Sequence, residues 1–322
     1  MAPTADDLID RRRMRRKLTF WRAAALIVAA LAIVAIALAF YGDRLAGKAV
    51  DHIAKVKIEG TIFEDDDLLK RLDEIGKSDR VKGVILEIDS PGGTTAGGEA
   101  VFDAVRAIAE KKPVVAQVGT LAASAGYMIA SAADHIVARQ SSIVGSIGVI
   151  VQFPDVTGLM DKLGVKVEEV KSSPLKAEPT PFNPTTEEER AMIRSLVMDS
   201  YDWFVGLVEE RRPLDRAQVL RLADGAVFTG RQGLANKLVD SLGGEKEAIA
   251  WLSGKGVSGT LTVIEWEPRN SGSGFLFSTA VANAIASALG LPVSGAEVIK
   301  GSGLDRLFLD GLVSVWQPSS AH

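Results

Sequence analysis

The stretch VKGVILEIDSPGG, residues 81–93, decides the fold. From Val84 to Ile88 it is a nearly continuous apolar and β-branched run, interrupted only by Glu87. Such a run fits a strand covered on both faces, as in a parallel sheet with helices on either side. It ends in Ser-Pro-Gly-Gly, a sharp turn whose two glycines let backbone N–H groups approach a ligand with no Cβ in the way. Taken alone, the turn is better explained by the steric needs of a strand-to-helix connection. The following TTAGGEA has no lysine of the GK[ST] kind, which disfavours a phosphate loop.

Outward from this strand, strand-like and helix-like segments alternate. IAKVKIEG (53–60) reads as a strand and DDDLLKRLDEIGKS (65–78) as an amphipathic helix with acidic residues in its first turn. GGEAVFDAVRAIAEKK (97–112) is a helix, PVVAQVG (113–119) a strand and ASAGYMIASAAD (123–134) a helix. HIVAR (135–139), SIGVIVQ (146–152) and VKVEEVK (165–171) read as short strands, and LMDKLG (159–164) as a helical turn. SSPLKAEPTPFNPTT (172–186) is an extended loop, and a long helix opened by Thr and Glu follows over 185–212. RAQVLRLADG (216–225) and GRQGLANKLVDSLG (230–243) are helical. The pattern predicts an α/β fold built from βαβ units.

The N-terminus reads as a membrane anchor. Residues 23–41 (AAALIVAALAIVAIALAFY) carry no charge and are long enough to span a bilayer's hydrocarbon core as a helix. Residues 1–22 place seven Arg and Lys, including RRRMRRK, against Asp6, Asp7 and Asp10, so the positive-inside rule puts this tail in the cytoplasm and the body across the membrane. A cleavable signal peptide is the competing reading, since Ala37-Leu38-Ala39 matches a small-x-small site, but the apolar run is longer than such segments usually are. The expected organisation is a basic tail (1–22), an anchor (23–41), a polar linker (42–52), a catalytic domain (53–254) and a C-terminal extension (255–322). Within the extension, 275–291 is apolar but rich in Ala and Ser and reads as a contact between copies rather than a second span.

Composition removes several classes of function. The whole chain is −4 although its tail is basic, and an acidic body without basic-aromatic stripes argues against a nucleic-acid surface. With no cysteine there is no thiol nucleophile, disulfide or thiolate metal site. His52, His135 and His322 are too scattered for a histidine metal cluster, so neither metal nor cofactor is expected.

Ser124 falls at the start of the helix that follows PVVAQVG and the turn TLAA, where open α/β sheets place ligands. The helix's free N–H groups favour negative charge beside it. Ala122, Ala123, Ala125 and Gly126 leave room for a substrate backbone. An isolated serine in this setting is more often a helix cap. As a nucleophile it needs a base. His52 lies in the linker, His322 is the last residue, and His135 belongs at the opposite end of the sheet, which leaves a lysine. Burial in apolar surroundings brings a lysine towards neutrality. Lys176, flanked by Pro174, Leu175, Ala177 and Pro179, suits this better than Lys171, which ends a charged segment, although a solvated loop charge is the commoner role.

Five segments in order, DSPGG (89–93), AASAGYMIA (122–130), VGSIGV (144–149), KSSPLKAEPTPF (171–182) and DGAVFTGRQGLANKLVDSLG (224–243), resemble the signal peptide peptidase A family. The resemblance covers about residues 53–250 and implies a Clp/crotonase-like fold with a repeated ββα/βαβ core in a single catalytic domain. It implies a serine–lysine dyad of Ser124 (nucleophile) and Lys176 (general base), with Ser146 orienting the lysine. It implies an oxyanion hole from the N–H groups of Gly93 and Ala125. The substrates so implied are remnant signal peptides and other unfolded apolar segments. A single catalytic domain implies a homo-oligomeric ring in which the lysine loop completes a neighbour's site. The location so implied is the bacterial inner membrane, single-pass, with the catalytic domain periplasmic. Two other readings stay open: an inactive membrane scaffold of this fold, and a crotonase-type acyl-CoA enzyme using the same glycine turn.

Overall fold

A computed structural model describes residues 48–268, together with Trp21 and the short strand Val313–Val315. The predicted anchor at 23–41, the 275–291 segment and, apart from Trp21, the basic tail lie outside the described residues. Among the described residues, no helix is long and apolar enough to cross a membrane. The chain divides into two compact units, Met1–His52 and Ile53–His322, and the fold below is that of the second.

The strand read from VILEI is the middle of β2 (Val81–Thr94), and its two-sided burial is explained by what lies on each face. Val84, Leu86 and Ile88 belong to the main core, shared with α1 (Asp66–Lys77), α2 (Thr95–Ala109) and α3 (Ala125–Ala132). Ile85 points the other way, into a smaller core with Ala248 and Leu252 of α8 (Glu245–Gly254). Each helix is placed by ordinary sequence signals. Asp65 caps α1 by accepting the N–H groups of Asp67 and Leu68, and Leu68, Leu72 and Ile75 supply its buried stripe. Thr94 caps α2 through the Gly97 N–H at 3.1 Å. Every residue of α3 is buried, as expected of a short apolar helix at the centre of a domain.

The strands join one nine-stranded sheet whose main path is β6-β5-β3-β2-β1-β8. β1 (His52–Ile62), β2 and β3 (Val114–Ala123) form its centre, and β8 (Val263–Glu265) extends it in parallel beyond β1. β3 serves two neighbours: Val115–Val118 pair with β4 (His135–Ala138), and Leu121–Ala123 pair with β5 (Ile143–Gly145), both parallel. β4 continues to β7 (Ser241–Leu242), and β5 to the antiparallel β6 (Val227–Thr229). β9 (Val313–Val315) lies antiparallel to the end of β2. The mixed α/β architecture agrees with the Clp-like expectation.

Three sequence expectations need correction. The strand expected at 146–152 ends at Gly145, because Ser146 takes φ 52° and gives its N–H to the Ala226 carbonyl at 2.7 Å. No strand forms at 165–171. Its valine alternation has no neighbouring strand to pair with, and Val165, Val167 and Val170 are all exposed, beside a helix α4 (Thr157–Leu163) that buries nothing. The helix expected over 230–243 is only α7 (Gly230–Ala235), since Lys237 at φ 61° turns the chain into β7.

The helices on the main face are locked by an ion pair. α5 (Glu187–Arg211), with a Thr186–Glu189 capping box, buries Phe204, Val205 and Val208 near its end, and α6 (Arg216–Leu222) follows. Between them Arg212 forks onto Asp240 with N···O distances of 2.8 and 2.9 Å and gives its Nε–H to the Lys237 carbonyl. Asp240 also accepts the Ile136 N–H at 2.7 Å, tying this pair to β4. Burial works to raise the Asp240 carboxyl, but the Arg212 fork and the Ile136 N–H outweigh it and hold it below the usual carboxylate range. A depressed carboxyl stabilises the fold above its unfolded value of about 3.9 and loses that contribution as pH falls through its folded value. Arg212→Ala is therefore expected to destabilise the protein by about 3 kcal/mol at neutral pH. The loss should shrink in denaturant titrations carried below about pH 4, as the unfolded carboxyl and then, at lower pH, the folded one takes up a proton.

Candidate active site

Ser124 stands where β3 becomes α3, at the N-cap position, with φ 57° and ψ −120°. That conformation is strained for a residue with a Cβ, of order 1–3 kcal/mol, and persists only where the surroundings impose it. They do so here: the Ser124 N–H bonds the Gly145 carbonyl at 2.8 Å and its carbonyl accepts the Met128 N–H at 2.9 Å. The side chain makes no capping hydrogen bond, so the commonest role for a serine at a helix start is not the one it fills. It is only 1% exposed.

The second predicted serine lies alongside. Ala123 pairs with Gly145, so Ser124 and Ser146 are the next residues out of adjacent strands, and both leave with positive φ. Ser146 is buried like Ser124.

The glycine turn packs against the same helix start. A Cβ on Gly126 would lie 2.9 Å from the Ser90 carbonyl oxygen, so the first turn of α3 sits directly on the turn. A Cβ on Gly93 would lie 1.8 Å from the Ile62 carbonyl oxygen, which is why no larger residue fits. The Ser90 hydroxyl donates to the Gly60 carbonyl at 2.6 Å and fixes the turn to β1. Ala125, the first residue of α3, is fully buried, and an N–H in the first turn of a helix has no intrahelical partner. The free edge beyond the turn accepts another strand: Gly92, Gly93 and Thr94 pair with Val315, Ser314 and Val313 of β9. Sequence reading missed this pairing, because three residues more than two hundred positions away carry no local signal for it.

The lysines separate clearly. Lys171 forms ion pairs with Glu169 and Glu178, whose carboxylates hold its ammonium above the ordinary lysine range, so it is no base near neutral pH. Lys176 lies in a turn closed by its N–H to the Ser173 carbonyl, and it is exposed in the single chain. The histidines are engaged elsewhere. His135 opposes Val115 at the start of β3, far along the strand from Ser124, with Nε2 2.9 Å from the Ser241 hydroxyl and its ring stacked on Trp251. Ser241, His135 and Asp240 superficially resemble a triad. Asp240, however, is held by Arg212 and stands 3.9 Å from His135 Nδ1, so the row is structural. His52 Nδ1 lies 2.8 Å from the Val50 carbonyl. Among the described residues no group of His, Asp and Glu is arranged to hold a metal ion. A groove between β1, β8 and the head of α1 contains neither serine nor Lys176.

The strained serine thus lies between parallel strands and against a glycine turn. The sequence model of the Clp protease family matches residues 58–144. The chain belongs to peptidase family S49, whose model matches residues 106–257. A Methanocaldococcus jannaschii protein provisionally named as a protease is 36% identical over 230 residues, covering 71% of this chain and 74% of the relative. An Enterococcus faecium protein provisionally named signal peptide peptidase SppA is 34% identical, covering 78% and 76%. Protease 4 of Haemophilus influenzae is 34% identical over 64% of this chain but only 35% of its own length.

Gly93→Ala tests the turn. The added methyl must push it off Ile62, so kcat/KM on a peptide substrate is expected to fall at least about a hundredfold, the scale of losing one oxyanion donor. The same melt that checks folding should show a lower Tm.

Proposed function

We propose that the protein is a membrane-anchored serine endopeptidase with a Ser124–Lys176 dyad, acting on remnant signal peptides and other apolar unfolded segments. The observation that carries this reading is the conformation of Ser124: buried and strained, with φ 57° and ψ −120°, at the head of a helix that faces a glycine turn. In this mechanism neutral Lys176 Nζ takes the Ser124 Oγ proton as Oγ adds to the peptide carbonyl. The oxyanion rests on the N–H groups of Gly93 and Ala125, donors of a kind worth about 2.7–4 kcal/mol each. Collapse breaks the C–N bond, and Lys176 returns the proton to the leaving amine. Water then gives a proton to Lys176 as it adds to the acyl carbonyl; collapse breaks the ester C–O bond, and Lys176 returns the proton to Ser124 Oγ as the acid leaves. The Ser146 hydroxyl orients the lysine amine throughout.

Three features support the surroundings of this mechanism. The pairing of Gly92–Thr94 with β9 supports reading this edge as one that takes an extended peptide by backbone hydrogen bonds. The exposed Leu159, Leu163, Val165, Val167 and Val170, in the segment leading to the lysine loop, suit packing between copies of the chain. Such packing would also remove Lys176 from water, the condition for a neutral amine. Residues 23–41, with the basic run before them, suit a single-pass anchor in a bacterial inner membrane, holding the catalytic domain in the periplasm near spent signal peptides.

The test uses the full chain in detergent and a fluorogenic apolar peptide. Ser124→Ala and Lys176→Ala should each lose at least about a thousandfold in kcat, while Lys171→Ala stays within severalfold of wild type. Persistent activity in Ser124→Ala would overturn the reading, and persistence in Lys176→Ala alone would overturn the choice of base.

A further inference from the structure

We propose that Asp89 is a positioning residue that sets the nucleophile in register with the glycine turn by pinning a bulge in β3; this role rests on the Ser124 reading above. β2 and β3 pair one to one from Val84↔Val114 to Ile88↔Val118. The next pair is Ser90↔Ala122, so β2 advances by a single intervening residue, Asp89, while β3 passes through Gly119, Thr120 and Leu121. The bulge takes up two residues, about 7 Å of strand at the usual rise. Continued from Ser90↔Ala122, the register sets Ser124 level with Gly92. Without the bulge Ala122 would fall there and Ser124 would overshoot the turn.

A bulge leaves backbone groups outside the ladder, and these need partners. Asp89 supplies one, its Oδ1 accepting the Leu121 N–H at 3.1 Å. Ser142 supplies the other from the β5 side, its hydroxyl donating to the Gly119 carbonyl at 2.5 Å while accepting the Arg139 N–H. The two side chains hold the bulge from opposite edges, and β5 begins just after it, at Leu121↔Ile143. Asp89 touches neither reacting group; it acts on Ser124 through the two residues, Ala122 and Ala123, that separate Leu121 from it. What Asp89 contributes is an acceptor oxygen in a fixed place, which an amide can replace and a methyl cannot.

The experiment compares the full-length wild type with Asp89→Ala, Asp89→Asn and Ser142→Ala by peptide kinetics and by hydrogen exchange over residues 119–124. Asp89→Ala should lower kcat thirtyfold or more with KM within threefold, and Asp89→Asn should stay within threefold of wild type in both. Exchange in that segment should quicken at least tenfold in Asp89→Ala and remain near wild type in Asp89→Asn. Ser142→Ala should show the same kcat-selective loss, and it carries the test with Asp89→Asn if Asp89→Ala does not fold. Unchanged exchange in the variants that lose a pin, or an Asn variant as impaired as Ala, would overturn the proposal. If wild type cuts no peptide but exchange responds as described, the pin stands and the peptidase reading falls.

Discussion

The hydrogen bond from Ser124 N–H to the Gly145 carbonyl is where the rest of the structure converges. It closes the short parallel pairing of β3 with β5 and holds Ser124 in a conformation its Cβ disfavours. It exists because β3 forks, giving its first half to β4 and its last three residues to β5. The fork opens the sheet where α3 begins, and the glycine turn of β2 fills the gap from the other side. Strand divergence thus creates the strained residue where β3, β5 and the glycine turn meet.

Much of this was legible in the chain. VILEI specified a two-faced strand because its apolar run offers no polar face for water. Thr186 marked the start of the long helix by capping chemistry that acts within three residues. Ser124 and the glycine turn were legible as candidates, and the exclusion of histidine agrees with where His52 and His135 lie. The failures have two causes: positive-φ residues at Ser146 and Lys237 redirect the chain, and a strand exists only if another strand is beside it. VKVEEVK alternates like a strand but has no partner, whereas β6, β7 and β8 are too short to carry a pattern and form because an edge awaits them. Lys176 illustrates a different limit, since the amine's surroundings depend on what packs against its loop and local sequence does not encode that.

Charge is distributed to match. The acidic groups that matter structurally are spent on backbone or on arginine: Asp65 and Asp89 on N–H groups, Asp240 on Arg212 and Ile136. Beside Ser124 lie the peptide dipoles at the head of α3. An environment made of N–H groups favours a developing oxyanion without introducing a carboxylate that would repel it.

The complete burial of α3 has a consequence for how this protein changes over evolutionary time. A helix with no solvent face has no position at which drift is free, and the glycines around it are fixed by contacts with main-chain atoms that cannot be exchanged for something smaller. The reactive centre is in that sense written as a set of missing methyl groups. Diversity must then accumulate where atoms can be added, on the exposed segment from α4 through the lysine loop and the first half of α5. A lineage with this fold would alter what it recognises by rebuilding that rim, while its elbow stays chemically silent from one descendant to the next.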